Sequence, residues 1–199
     1  MSVPMPALVS VDPKTGEMTG RTRRYEKRFD ELDGLFADAR AFAATVAARG
    51  AEIAYRVDEF RPSDRAGDVI FGTSTLYPGR IGDEFLMTRG HIHRISDRPE
   101  IYLCQAGQGV MLMELEDGTI RAEAMRPNSV VYVAPHWIHR SVNVGRDPLV
   151  TLFCYPADAG QDYDIIAQAG GMRDLVVSDG ADGWRLTPNP RYRGRAKVA

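Results

Sequence analysis

Between residues 29 and 48 the apolar positions Leu32, Leu35, Phe36, Ala39, Phe42, Ala43 and Val46 recur at three- and four-residue spacing, and Gly50 follows. That spacing predicts one amphipathic helix over 29–48. Its opposite face lacks the dense Lys and Arg of membrane-surface helices, so the stripe is expected to dock on a core. Beyond residue 50 the pattern changes to short apolar runs broken by Gly, Pro, Asn and Asp at intervals typical of all-β domains. Residues 110–115 run into Glu116-Asp117-Gly118 and the strand resumes at Ile120, predicting a hairpin closed by a two-residue turn. The runs 130–134 and 149–155 are almost continuously apolar, as expected of strands buried on both faces in stacked sheets or a closed barrel. A short helix is expected over 164–169, ending at Gly170-Gly171, and the Arg-rich segment from Arg191 reads as a frayed tail. The expected organisation is an extension over 1–50 with a helix packed on the barrel, an all-β barrel domain over 51–180, and a tail over 181–199.

Composition narrows the partner. The 199 residues carry 25 Lys plus Arg against 27 Asp plus Glu, a formal charge of -2. No basic field gathers nucleic acid or an anionic membrane, which points to a small-molecule ligand. The lysines are Lys14, Lys27 and Lys197, and the arginines are scattered rather than blocked into a patch. Cys104 and Cys154 sit in apolar runs and read as small buried thiols, not as a disulfide framework. Residues 1–10 hold Pro4 and Pro6 without a basic start leading into an apolar stretch, and no run approaches 18 apolar residues. A cytoplasmic protein is the expectation.

The histidines carry the chemistry. All four fall in two short clusters, His91 and His93 in Gly-His-Ile-His and His136 and His139 in Pro-His-Trp-Ile-His. On a strand, alternating side chains put His91 and His93 on one face, where two imidazoles can converge on one ion, and turn Ile92 the other way. Glu100 follows the turn-like Ser96-Asp97-Arg98-Pro99, and Tyr102 shares its face. A His-x-His pair alone fits ordinary core or surface histidines equally well. The carboxylate just downstream, Gly107 after it, and a further histidine about forty residues on, behind Val133-Ala134-Pro135, favour a metal site.

This arrangement resembles the two motifs of the cupin family, with Glu100 and Gly107 in the register of the first motif's end and His139 and Asn143 in that of the second. The spacing from His93 to Glu100 is longer than in most cupins. The stretches Thr75-Leu76-Tyr77-Pro78-Gly79, Thr88-Arg89-Gly90-His91-Ile92-His93, Val131-Tyr132-Val133-Ala134-Pro135, His139-Arg140-Ser141-Val142-Asn143 and Tyr155-Pro156-Ala157-Asp158-Ala159-Gly160 are similar to one branch, the cupin-type glucose-6-phosphate isomerases known mainly from archaea. The resemblance is strong over residues 69–177. It implies an all-β cupin double-stranded β-helix, or jelly-roll barrel, with an N-terminal amphipathic helix and a short C-terminal helix.

The resemblance further implies a metal-dependent intramolecular oxidoreductase, an aldose–ketose isomerase interconverting glucose 6-phosphate and fructose 6-phosphate. Its metal ligands would be His91, His93, Glu100 and His139, with His136 the competing candidate for the fourth place. Three imidazoles and a carboxylate suit a divalent transition ion, iron first and Mn, Ni, Co or Zn as alternatives, and do not suit Ca or Mg. Glu100 is the expected proton shuttle, with a metal-assisted hydride shift as the alternative; Tyr102 shares its face, and His136 joins them as a catalytic candidate. Ser74, Thr88, Arg89, Gly90, Tyr155, Gln161 and Tyr163 are the expected sugar-phosphate contacts. His136 stands where the branch usually has Tyr and Gln161 where it usually has His; either His136 compensates for the non-titrating Gln161, or the ring-opening or proton-relay step is slower here. A homodimer is expected, because cupins commonly pair edge strands. A cupin dioxygenase on the same ligand set and a non-enzymatic sugar-binding cupin are the rival functions.

Overall fold

The computed structural model describes residues 5–20, 22–181 and 183–195, so Lys197 and the first four residues of the N-terminal segment lie outside the described residues. The architecture is the all-β one, with every strand pair antiparallel. A six-stranded sheet runs in the spatial order Val130–Val133, Glu100–Ala106, Leu149–Pro156, Val69–Leu76, Ile53–Phe60 and Arg23–Arg28. A second sheet orders Ile120–Met125, Gly109–Glu114 and Ile138–Asn143, and isolated bridges Met87 to Val142 and His91 to His139 continue it. Beyond the second bridge, Ile92–His93 pairs with Gln161–Asp162. Ile70, Leu76, Val110, Met111, Ile138 and Val142, from both sheets, are essentially inaccessible and belong to one apolar core. Trp184–Pro188 and Asp174–Ser178, with Glu84–Phe85 and Arg80–Ile81, form a further four-stranded sheet.

The structure differs from the sequence expectation at several elements, each for a local reason. Instead of one helix over 29–48 there is a 3-10 turn, Phe29–Glu31, and a separate helix, Ala39–Arg49. Gly34, at φ 77°, takes a left-handed conformation that ends any helical run, and Asp38 starts the second helix by accepting the Ala41 N–H at 2.8 Å. Phe29, Leu32 and Phe36 still reach the core, from turns rather than from a helical stripe. The hairpin after Gly109–Glu114 is closed by three residues, with Leu115 N–H donating to Thr119 and Gly118 at φ 86°. That is the turn-plus-left-handed-glycine solution, not the two-residue turn. The strand Val130–Val133 lies at a sheet edge with Val130 and Tyr132 exposed, so it is buried on one face only. Leu149–Pro156, central in the same sheet, is largely buried.

The sheets also take in residues on either side of 51–180. Arg23–Arg28 is almost entirely charged and exposed and pairs with Ile53–Phe60 through its backbone, as suits a soluble sheet edge that apolar periodicity does not register. Trp184–Pro188 pairs along Asp174–Ser178. From Arg191 to Arg195 the chain is pinned, not frayed: Arg195 places two guanidinium nitrogens on the inaccessible Glu114 at 2.7 and 3.0 Å, and Tyr192 donates its hydroxyl to the same carboxylate at 2.6 Å. The short helix is Asp164–Gln168, and Gly170 at φ 77° follows its end. Cys104 is buried, Cys154 half-buried, and both are free thiols. Among the described residues no helix is long and apolar enough to cross a membrane.

Candidate metal centre and its cavity

Three strand segments bring the histidines to one point. His91 and His139 face each other across an antiparallel bridge, their backbones exchanging hydrogen bonds at 3.0 and 2.9 Å, and His93 sits two residues along from His91. Glu100 opens the strand Glu100–Ala106 and turns inward with Tyr102. Oε2 of Glu100 lies 3.0 Å from His139 Nε2, 3.2 Å from His93 Nε2 and 3.5 Å from His91 Nε2, all in buried side chains. The coordinating atoms of His91, His93 and Glu100 lie within 4.8 Å of one another.

The donor chemistry of this cluster fits a cation. His93 Nδ1 lies 2.7 Å from the Arg98 carbonyl and His139 Nδ1 lies 3.1 Å from the Trp137 carbonyl. A neutral imidazole has a single N–H, and each ring spends it on a carbonyl, so each Nε2 presents a lone pair to a carboxylate oxygen. Lone pairs 3.0 to 3.2 Å apart repel unless a proton or a metal ion lies between them. Nε2 of His91 and of His93 are buried without a hydrogen-bond partner. Two donors each about 2.1 Å from one cation stand about 3.0 Å apart at a right angle, the spacing seen here. The extra residues between His93 and Glu100 gain a purpose: they carry the Arg98 carbonyl onto His93. Pro99 restricts Arg98 to extended backbone, and its guanidinium holds Asp158 at 2.7 Å.

The same geometry sets the charges. Burial and then the neighbouring His139 push the His91 imidazole down to about 4, so it is neutral and ready to ligate at neutral pH. Burial also works against the charged form of His93, but the Glu100 carboxylate prevails and raises it. Burial pushes Glu100 upward, yet contact with His139, His91 and His93 holds it well below the usual carboxylate range. Tyr102 is held well above its ordinary value by burial and then by the charge of the neighbouring Glu100, so it stays a neutral phenol.

A cavity of about 170 Å³ opens onto the cluster. His91, Glu100, His139, Tyr102, Ser74, Thr88, Arg89, Gly90, Tyr155, Gln161 and Tyr163 line it, so nearly all the residues singled out from the sequence converge there. His93 completes the cluster from behind, with its ring 5.4 Å from that of Tyr155. His136 stands apart. It is exposed, its backbone turns at φ 72°, and its N–H bonds the Ser96 carbonyl over a different hollow. The structure therefore does not bring His136 to the place where it would compensate for Gln161. Gln161 instead accepts a short hydrogen bond from the Tyr163 hydroxyl.

Tyr55, Val57 and Glu59 also line the cavity and were missed, although their i, i+2, i+4 spacing on Ile53–Phe60 is the signal of one strand face. Arg61 lines it too, but Glu59 and Asp64 compensate its charge at 3.1 and 2.6 Å. Arg89 and Arg140 are different: among the described residues no carboxylate lies within 4.0 Å of either guanidinium. The Arg89 guanidinium stacks over the Tyr163 ring at 4.9 Å.

An antiparallel β-barrel with buried imidazoles gathered on a glutamate is the arrangement of a cupin with a metal-type site. The family model for "Glucose-6-phosphate isomerase (GPI)" matches residues 26–193. A glucose-6-phosphate isomerase of Sinorhizobium medicae is 54% identical over 96% of this chain and 89% of that protein, and one from Pyrococcus furiosus is 37% identical over 93% and 96%. The chain belongs to the cupin-type glucose-6-phosphate isomerase family. Among solved structures, oxalate oxidase with glycolate is similar at a TM-score of 0.47 and 14% identity, covering 55% of each chain. Oxalate decarboxylase from Bacillus subtilis is similar at 0.44 and 21%, covering 55% of this chain and 27% of that one.

Proposed function

We propose that this chain interconverts glucose 6-phosphate and fructose 6-phosphate with one divalent transition metal held by His91, His93, Glu100 and His139. The observation that carries the proposal is the convergence of three imidazole nitrogens on one oxygen of Glu100 at the cavity wall. Iron is the favoured ion, with Mn, Ni, Co and Zn able to use the same nitrogen-rich set. Bound there, the ion supplies Lewis-acid polarisation of the sugar oxygens at C1 and C2.

The residues of the chain divide the remaining work. Glu100 directs Oε2 at the imidazoles, which leaves its second oxygen to take a proton from C1 or C2 and return it to the other. Its carboxyl is held well below the usual range, so it becomes an effective base only as those contacts loosen with substrate in place. Tyr102, on the same strand face as Glu100 and kept a neutral phenol, borders it at the cavity wall. The phosphate belongs at the opposite charge, near Arg89, Thr88 and the Gly90 backbone, because Arg61 is already neutralised. Ser74, Tyr155, Gln161 and Tyr163 supply hydroxyl and amide contacts to the sugar between the two ends. The working unit is a homodimer in the cytoplasm.

The test is direct. Protein stripped with chelator and refilled with single divalent ions is assayed for conversion of fructose 6-phosphate to glucose 6-phosphate, with mannose 6-phosphate alongside. Activity that disappears with the metal and returns with iron supports the proposal. Refilled protein that is inert toward every hexose monophosphate, or that consumes oxygen instead, overturns it.

A further inference from the structure

Arg140 is 3% exposed on the strand Ile138–Asn143, immediately after His139. Other buried or half-buried arginines meet carboxylates, Arg195 on Glu114 and Arg98 on Asp158. Arg140 does not. One terminal nitrogen donates to the Arg89 carbonyl at 2.7 Å, the other lies 2.7 Å from the Met87 sulfur, and Nε is buried with no partner. Glu84 and Glu114 attract its charge from beyond contact while Arg195 opposes it, so no carboxylate occupies the donors that the buried guanidinium still has free.

The contact to Arg89 falls on the wall where the phosphate is placed above. The Arg89 carbonyl and the Gly90 N–H belong to one planar trans peptide and point in opposite directions, so a grip on the oxygen aims the N–H the other way. Gly90 has φ 73°, and an added Cβ would lie 2.8 Å from the Arg140 Cβ and from the His139 carbonyl oxygen. Its backbone is thus pressed onto residues 139 and 140 on one side and lines the cavity on the other. Among the described residues the Gly90 N–H has no hydrogen-bond partner. Successive amides around a left-handed residue make an anion-binding concavity, and a cation on the carbonyl side strengthens the N–H as a donor.

We propose that Arg140, which reaches the cavity wall with its two terminal nitrogens already engaged on Arg89 and Met87, is a positioning residue for the substrate phosphate that acts through the Arg89–Gly90 peptide. This rests on the isomerase function proposed above. The same buried cation answers the charge of the phosphate across that peptide.

The experiment compares holoenzyme with its R140Q and R140K variants. The measurements are metal content, kcat, KM for fructose 6-phosphate, and the inhibition constant and melting shift for inorganic phosphate. R140Q should raise KM and the phosphate inhibition constant by about tenfold or more, with kcat and metal content falling much less, the size expected when a charge-assisted contact is lost. R140K keeps a cation but not the fork and should recover part of the loss. Unchanged phosphate inhibition in either folded variant overturns the inference, as does a loss of metal that matches the loss of phosphate affinity. If R140Q fails to fold, R140K decides, with a rise of about threefold or more expected. A wild-type holoenzyme inert toward hexose phosphates overturns the function on which this rests, a result distinct from normal phosphate inhibition in R140K.

Discussion

Acidification of the metal-free protein tests the electrostatics of the cluster at one residue, His91. The residue is 8% exposed, with its ring 4.4 Å from that of His139 and held down at about 4 by burial first and His139 second. In the unfolded chain the same ring titrates near 6.5. Between those values the unfolded state binds a proton that the native state refuses, so stability falls as pH falls. At about 1.4 kcal/mol per pH unit the full gap is worth about 3 kcal/mol, most of it already lost at about pH 4.5. For a chain of this size that is a drop in melting temperature of about 6 to 12 °C. His93 runs the other way: its raised value contributes stability that is complete below about 6.5 and is lost as pH rises through the folded value. Glu100, held low, begins to lose its contribution only below about 4.5, so melts are compared from pH 7 to about 4.5. Chelator-treated wild type and His91→Gln differ in the ring that refuses the proton, and the variant should lose about 2 to 3 kcal/mol less over that range. Equal losses in both proteins would show that His91 is not kept neutral by its surroundings.

Three further perturbations separate the parts of the site. Asp158→Ala frees the Arg98 guanidinium and with it the carbonyl that orients His93, and should weaken metal affinity by about tenfold, measured by competition with a fluorescent chelator. His136→Ala should leave turnover and metal content within about threefold of wild type, because the residue is exposed and lies outside the cavity; a larger fall in turnover would return it to the mechanism. Arg195→Met strands the inaccessible Glu114 and should cost about 3 to 5 kcal/mol in urea melts, while folded protein at 25 °C keeps its KM.

The contrast between these residues shows what a sequence exposes and what it conceals. The convergence of His91, His93, Glu100 and His139 was legible because side chains that meet at one point come at particular spacings along strands, and those spacings survive in the linear order. The barrel was legible for a similar reason, since alternation and turn residues encode strands locally. The charged strand Arg23–Arg28 was not, because it is held by backbone pairing and leaves no apolar periodicity. The break at Gly34 was not, because the stripe of Leu32, Leu35 and Phe36 is equally satisfied by a helix and by successive turns that bury the same side chains. His136 misled because proximity in sequence to His139 says nothing about which side of a strand entry the ring leaves from, and a backbone at φ 72° turned it outward.

The groups that prepare the site were hidden for a deeper reason. Arg98 acts on His93 through its carbonyl, and Arg140 reaches the Arg89 carbonyl; in both cases one partner is a main-chain oxygen that every residue possesses. No residue type signals such a contact. Only the folded chain reveals that an arginine chosen for its charge is used beside a peptide plane. The cavity wall then carries two kinds of charge, Glu100 ringed by imidazoles and the guanidiniums of Arg89 and Arg140, which no carboxylate touches among the described residues. A ligand carrying polarisable hydroxyls at one end and a dianion at the other matches both at once. On the function proposed above, a neutral sugar or an unsubstituted aromatic brings no anion to these two guanidiniums, so a phosphorylated substrate is expected to be preferred.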